Sequence, residues 1–102
     1  MVQRTGTDLG FHHFEWDENK RLLNIKKHGI DFQDAVRIFF SEILLLQADR
    51  SNEERWRAIG ILSDRAICIV YTERNGGCRI ISARRARTKE RRAYYALLGQ
   101  KP

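Results

Sequence analysis

Residues 66–83 read AICIVYTERNGGCRIISA, and this stretch decides the fold. Ala66, Cys68 and Val70 alternate with Ile67, Ile69 and Tyr71, so both side-chain sets of one strand are apolar. A strand buried on both faces belongs in the middle of a sheet. Asn75, Gly76 and Gly77 then spell a hairpin turn, because Asn and Gly tolerate positive φ. Cys78 to Ala83 is the returning strand. Working outward on the N-terminal side, Trp56 to Leu62 reads as a strand joined to Ala66–Glu73 at Ser63, Asp64 and Arg65. Ile43 to Gln47 is a short apolar strand, and polar Asp49 to Glu54 reads as a loop.

Helices precede and follow these strands. Phe11 to Trp16 is aromatic-rich and suits an edge strand. Asp17 is a helix cap, and the helix after it carries Leu22, Leu23 and Ile25 before ending in Lys26, Lys27, His28 and Gly29. Cations in a last turn followed by Gly are a stop signal. Asp31 caps a second helix, whose Phe32, Ala35, Val36, Phe39 and Phe40 predict one apolar face. Thr88 to Leu98 is a final helix ending at Gly99. The predicted order is β-α-α-β-β-β-β-α, an α+β class with a small antiparallel sheet packed against two N-terminal helices and a C-terminal helix. The length of 102 residues suits a single domain, with residues 1–10 as a loose lead-in. No apolar run is long enough to span a bilayer or to form a secretory leader. Cys68 and Cys78 lack paired spacing and read as small hydrophobes in a reducing, cytoplasmic setting.

Charge is distributed unevenly. Residues 74–92 hold Arg74, Arg79, Arg84, Arg85, Arg87, Lys89, Arg91 and Arg92 against one acid, Glu90, a net +7 in a chain whose total is +6. One concentrated basic block favours polyanions, and nucleic acid is the commonest. Strict alternation puts Ile80, Ser82 and Arg84 on one face of their strand and Arg79, Ile81 and Ala83 on the other. Arginine offers a planar fork suited to phosphate. On the helix, solvation of Arg87, Arg91 and Arg92 competes evenly with phosphate steering. Arg84, at a strand end, favours a functional role. His28 at a helix end is explained by the helix dipole alone. His12 and His13 point to opposite faces of a strand, and no cluster of His, Cys and acids has metal-ligand spacing. Trp16 and Trp56 read as core anchors. No phosphate-binding loop, HExxH or GxSxG occurs. RNA cleavage needs none of them, because the ribose 2′-hydroxyl already neighbours the scissile phosphate.

Several short motifs fall in order along residues 11–98: Phe14-Glu15-Trp16-Asp17; Asn24 followed by Lys27-His28-Gly29-Ile30, Phe32 and Ala35; Arg55-Trp56 with Ile59-Gly60; Tyr71-Thr72-Glu73-Arg74; Arg79-Ile80-Ile81-Ser82-Ala83-Arg84; and Glu90-Arg91-Arg92 with Tyr94. In these the chain resembles the BrnT family of type II toxins. The resemblance implies a RelE-like fold, a ribonuclease that needs no metal or other cofactor, and inhibition of translation. It also implies a BrnA-type ribbon-helix-helix antitoxin as partner, with operator DNA reached only through that antitoxin. Carried over residue by residue, it raises Lys27, His28, Glu73, Arg74 and Arg84 to candidate catalytic residues. Arg84 and Arg74 would hold the scissile phosphate, His28 or Glu73 would move the proton, and Lys27 would add charge. Arg79, Arg85, Arg87, Lys89, Arg91 and Arg92 are candidate RNA-binding residues. One departure stands out: Arg87 occupies the place of the usual Ser, Thr or Asp helix cap, which predicts a weakly capped or late-starting final helix. Two other readings use the same basic surface, a nucleic-acid-binding module without catalysis and a subunit that presents its arginines to an acidic protein.

Overall fold

The hairpin of residues 66–83 forms the spine of a mixed sheet in the computed structural model, which describes residues 3–6, 11, 13–48 and 55–98. The elements are β1 (Gln3–Gly6), β2 (Phe14–Glu15), α1 (Glu18–His28), α2 (Phe32–Ala35) running into a 3₁₀ turn (Val36–Phe40), β3 (Ile43–Ala48), β4 (Arg55–Leu62), β5 (Arg65–Arg74), β6 (Gly77–Arg85) and α3 (Thr88–Leu98). Among the described residues the strand order is β1-β3-β4-β5-β6-β2, so β5 is internal, as its two apolar sides require. The class is α+β. Two expectations need correction. Gln3–Gly6 pair with β3 as an edge strand instead of forming a loose lead-in. The short β2 joins β6 in parallel, so the sheet is not wholly antiparallel. The expected loop at 49–54 and His12 lie outside the described residues.

Each face of the sheet carries its own core. On one face Phe32, Ala35, Ile38 and Phe39 cover Ile43, Leu45, Ala58, Ile67, Ile69, Tyr71, Cys78, Ile80 and Ala83. Trp16 packs edge-on against Phe32 at 6.0 Å, and Trp16 and Trp56 both border this core, as their anchoring role requires. On the other face Tyr94 and Ala86 cover Leu44, Leu46, Ile59, Ala66 and Cys68. The second helix departs from its expected α-helical stripe. After one α-helical turn it tightens to 3₁₀, where residues three apart eclipse one another. Phe32, Ala35 and Ile38 therefore line up inward with Phe39, and Phe40 swings out to 71% exposure.

The first helix starts and stops where its signals place it. Asp17 accepts from the Lys20 N–H at 3.1 Å, and Gly29, at φ 70°, donates its N–H to the Ile25 carbonyl. Its inward side differs from expectation, because Leu22 and Leu23 face solvent and the buried residue is Asn24, 7% exposed. The reason is polar. Beyond Arg79 no described strand pairs with the outer edge of β6, which leaves the backbone of Ala83 to find a partner. The Asn24 side chain supplies it. Its amide donates to the Ala83 carbonyl at 2.8 Å, and its oxygen accepts from the Ala83 N–H at 3.2 Å. Its second N–H donates to the Ile30 carbonyl at 2.9 Å, which ties down the turn after α1. One side-chain amide thus stands in for a missing strand.

A β-bulge changes what β6 presents. Tyr71 faces Ile80 but Val70 faces Ser82, so Ile81 is an extra residue in the ladder. The insertion shifts the alternation by one. Ile80 and Ala83, three apart, share one core, and Arg84 turns to the opposite face across from Cys68. The expected face shared by Ile80, Ser82 and Arg84 is therefore overturned.

Replacing Asn24 by Ala strands three backbone groups at a buried edge. A stranded buried group costs about 1–3 kcal/mol. Chemical denaturation of Asn24→Ala is expected to show a loss of at least about 2 kcal/mol. A loss below about 0.5 kcal/mol would mean that the amide is not what holds α1 to β6.

Candidate functional site

The bulge delivers Arg84 to a buried carboxylate. Arg84 donates from Nη1 to Oε1 of Glu90 at 2.8 Å and from Nη2 to Oε2 at 2.9 Å. Its Nη1 also donates to the Arg85 carbonyl at 3.2 Å, and the side chain is 16% exposed. Arg57 on β4 reaches the same carboxylate, Nη1 to Oε2 at 3.0 Å, while its Nη2 bonds the Gln47 carbonyl at 3.3 Å. Glu90 accepts a fourth bond from the Arg87 N–H at 2.8 Å, and the Arg87 carbonyl takes the first helical bond of α3, from the Arg91 N–H. Arg87 is therefore the N-cap residue, capped by the carboxylate three residues on. This is half of a capping box, with no cap side chain required. The helix starts at Thr88 as its residues predict, and the weak capping or late start expected from Arg87 is corrected, because the Glu90 carboxylate supplies the cap.

Glu90 is only 3% exposed. Burial alone would raise its carboxyl pKa. The bonds from Arg84, the Arg87 N–H and Arg57 outweigh burial and hold it at about 2. Two guanidiniums around one carboxylate leave a net charge of +1 at this end of the sheet.

The C-terminal end of α1 meets the same place. His28 lies one helical turn beyond Asn24, on the same side of α1, and Asn24 is bonded to Ala83, the residue before Arg84. The His28 pKa is lowered from its ordinary 6.5, first by partial burial and then by the charges of Lys27 and Arg84. These surroundings favour the neutral imidazole. Lys27 is exposed beside it. Lys27, His28 and Arg84 thus lie toward the same end of the sheet, with His28 within electrostatic reach of Arg84.

Glu73 and Arg74 do not join them. They pair with Cys78 and Gly77 at the turn end of the β5–β6 hairpin. Arg84 lies seven residues along β6 from Gly77, a separation of about 20 Å at the rise of a strand. A single phosphate cannot touch both arginines, so the five candidates split into two sets. The hairpin-end set also contains Arg79, which faces Glu15 at 3.7 Å. At the same end the exposed His13 ring lies over Gly77, where any Cβ would come within 2.3 Å of it. The other basic candidates stay with Arg84. Arg85, Arg87, Lys89 and Arg92 are exposed, while Arg91 bonds the Ala86 carbonyl at 3.1 Å.

Three residues of this region carry no role in the sequence reading. Arg57 sits on a strand with no motif of its own chemistry. Asn24 sits beside Leu22 and Leu23, the residues that helix patterning by itself turns inward. Glu90 had a visible signal, as the one acid in a +7 block at the third position of a helix. The Cys68 thiol is pushed up to about 12 by burial and by Glu90, and burial raises Cys78 as well, so neither is a nucleophile. Among the described residues no three His, Cys, Asp or Glu side chains gather as a metal site. No described helix is long and apolar enough to cross a membrane.

Two fixed guanidiniums and the imidazole of His28 thus belong to one end of a basic α+β fold. Residues 16–90 match the family model for "Ribonuclease toxin, BrnT, of type II toxin-antitoxin system", and the chain belongs to that family. Among solved structures it is similar to the Brucella abortus ribonuclease toxin BrnT, with 30% sequence identity and a TM-score of 0.59 over 74% of this chain and 97% of that one. No curated protein matches the chain.

Glu90 links the site to pH. Its carboxyl lies near 4.5 when unfolded and is lowered to about 2 in the fold. The charged form is thus favoured in the native state. Its stabilising contribution is full above pH 4.5 and is lost as pH falls toward 2. The amount is on the order of 3 kcal/mol. Denaturation of the parent and Glu90→Gln at pH 7 and pH 3 is expected to show a smaller acid-induced loss in the variant. Equal losses would place the acid-sensitive group elsewhere.

Proposed function

We propose that the chain is the toxin of a toxin–antitoxin pair, cleaving RNA without a metal ion and so inhibiting translation. Its centre lies where α1 ends, β6 ends and α3 begins. The observation that carries this reading is that the end of α1, with Lys27 and His28, is tied through Asn24 to the end of β6, where Glu90 holds the Arg84 guanidinium in place. In the reaction the RNA 2′-oxygen attacks the adjacent phosphorus and gives up its proton, the bond to the 5′-oxygen breaks, and that oxygen takes a proton from water, leaving a 2′,3′-cyclic phosphate and a 5′-hydroxyl end. His28, whose neutral form its surroundings favour, takes the 2′-hydroxyl proton. Arg84 faces the charge that builds on the phosphoryl oxygens, where a preorganised donor counts most. Lys27 adds an exposed charge next to both. Arginines that stay ionised at any working pH supply the charge stabilisation that a metal would otherwise give. Glu73 and Arg74 belong to the path of the strand outside the reacting phosphate. Arg79 flanks them, while Arg85, Arg87, Lys89, Arg91 and Arg92 steer and hold the RNA backbone near the centre.

The partner that silences the chain is a BrnA-type ribbon-helix-helix antitoxin, through which operator DNA is reached. The exposed side of α1 supports a covering partner. Leu22 and Leu23 are turned to solvent beside Lys26 and Lys27, so an apolar and acidic segment would bury the leucines and cover the approach to His28.

The purified chain is expected to cut RNA in excess EDTA. The acid limb of its rate should fall below pH 6.5, because the His28 pKa is lowered from that value, and His28→Ala should abolish it. Cleavage that needs an added divalent ion, or an acid limb unchanged in His28→Ala, would overturn the mechanism. The antitoxin complex is expected to lose RNA binding and cleavage together, with an association rate that falls as salt rises. A complex that cuts like the free chain would mean that the partner docks elsewhere.

A further inference from the structure

We infer that Glu90 is a positioning residue: it holds one fork of the Arg84 guanidinium so that the other fork is presented to the scissile phosphate. The inference rests on the assignment of Arg84 to the reacting centre. A guanidinium has two planar forks, one formed by Nη1 and Nη2 and one by Nε and Nη2. Glu90 takes the first, with both terminal nitrogens engaged end-on at 2.8 and 2.9 Å. Nη1 is then fully used, because its second bond goes to the Arg85 carbonyl. Nε–H and the outer Nη2–H take no acceptor among the described residues. That edge is the side-on fork, whose two parallel N–H groups match two oxygens of a phosphate.

The carboxylate is itself held from three elements. Arg57 of β4, Arg84 of β6 and the Arg87 N–H at the start of α3 all converge on it. A carboxylate with four bonds and 3% exposure has little freedom to move. Arg84 therefore meets RNA with its rotamer already chosen, and the ordering cost of a long side chain is met during folding. The negative charge has a second effect. Without it Arg57 and Arg84 would repel each other, and the Arg84 head would turn toward solvent. Glu90 never touches the RNA; it acts through Arg84.

The test is a double-mutant cycle on single-turnover cleavage at saturating RNA, with RNA affinity measured alongside and folded protein checked by thermal unfolding. Arg84→Ala is expected to lose on the order of a hundredfold in rate. Glu90→Gln is expected to lose at least about tenfold in rate, with RNA affinity equal to or tighter than the parent, because a negative charge has left a cationic face. Added to Arg84→Ala, Glu90→Gln should cost less than about twofold more, since its effect runs through a side chain already gone. Glu90→Asp, which keeps the charge but draws the carboxylate back by one methylene, should also be slowed and gives the same reading should Glu90→Gln not fold. A folded Glu90→Gln or Glu90→Asp that cuts at the parental rate, or effects that multiply fully in the double variant, would overturn the inference. Arg84→Ala cutting like the parent would overturn the assignment of the centre instead, so the two failures are separable.

Discussion

The structure depends on one buried carboxylate. Glu90 holds the start of α3, the end of β6 and the first half of β4 through four hydrogen bonds. The arrangement is stable only as a set. An ion pair in the interior loses most of its Coulomb gain to desolvation unless every lone pair is engaged, and removal of one partner leaves an uncompensated charge. Here burial is opposed by two guanidiniums and a backbone N–H, and the carboxyl stays ionised down to about pH 2. The same four bonds cap a helix and orient an arginine, so a packing constraint and a functional one share one residue.

A second polar contact does similar work at the other side of β6. Asn24 lends its amide to the open edge at Ala83 and so fixes where the end of α1 lies. The neighbouring turn is fastened by the Arg21–Asp31 pair, in which Nε donates to Oδ1 at 2.9 Å and Nη2 to Oδ2 at 3.0 Å. Asp31 also caps α2 through the Gln33 N–H. These contacts put His28 within electrostatic reach of Arg84. Side-chain polar groups, more than apolar burial, therefore place α1, which explains why its leucines are free to face solvent.

Much of the fold was legible in the sequence because it rests on local rules. The doubly apolar β5, the turn at Asn75 and Gly76, the Asp17 cap, the stop at Gly29 and the span of α3 all appear where their residues predict. What escaped reading depends on neighbours distant in sequence. The bulge at Ile81 is not written in its own residues, yet it moves Arg84 to the opposite face. The tightening of Val36–Phe40 into a 3₁₀ turn overrode a helical stripe that looked complete. Asn24 turned inward because β6 lacked a strand partner, a fact no helix pattern contains. At the site, the motifs marked Lys27, His28, Glu73, Arg74 and Arg84 as one candidate set, and the fold divides that set between the two ends of the hairpin. The separation of Glu73 and Arg74 from Arg84 follows from the turn at Asn75 to Gly77, which puts those two at one end of the hairpin and Arg84 at the other; what the motifs did not contain is the carboxylate of Glu90 that fixes Arg84.

The central claim is that the reacting phosphate sits at the Arg84 end of the β5–β6 hairpin and not at its turn. The most direct measurement compares single-turnover RNA cleavage by Arg84→Ala and Arg74→Ala, both verified as folded, at RNA concentrations that saturate each. The account predicts a rate loss on the order of a hundredfold for Arg84→Ala. For Arg74→Ala it predicts a rate at saturation within about threefold of the parent, with any defect confined to affinity. The reverse pattern, a silent Arg84→Ala and an inactive Arg74→Ala, would contradict it and move the site to the turn.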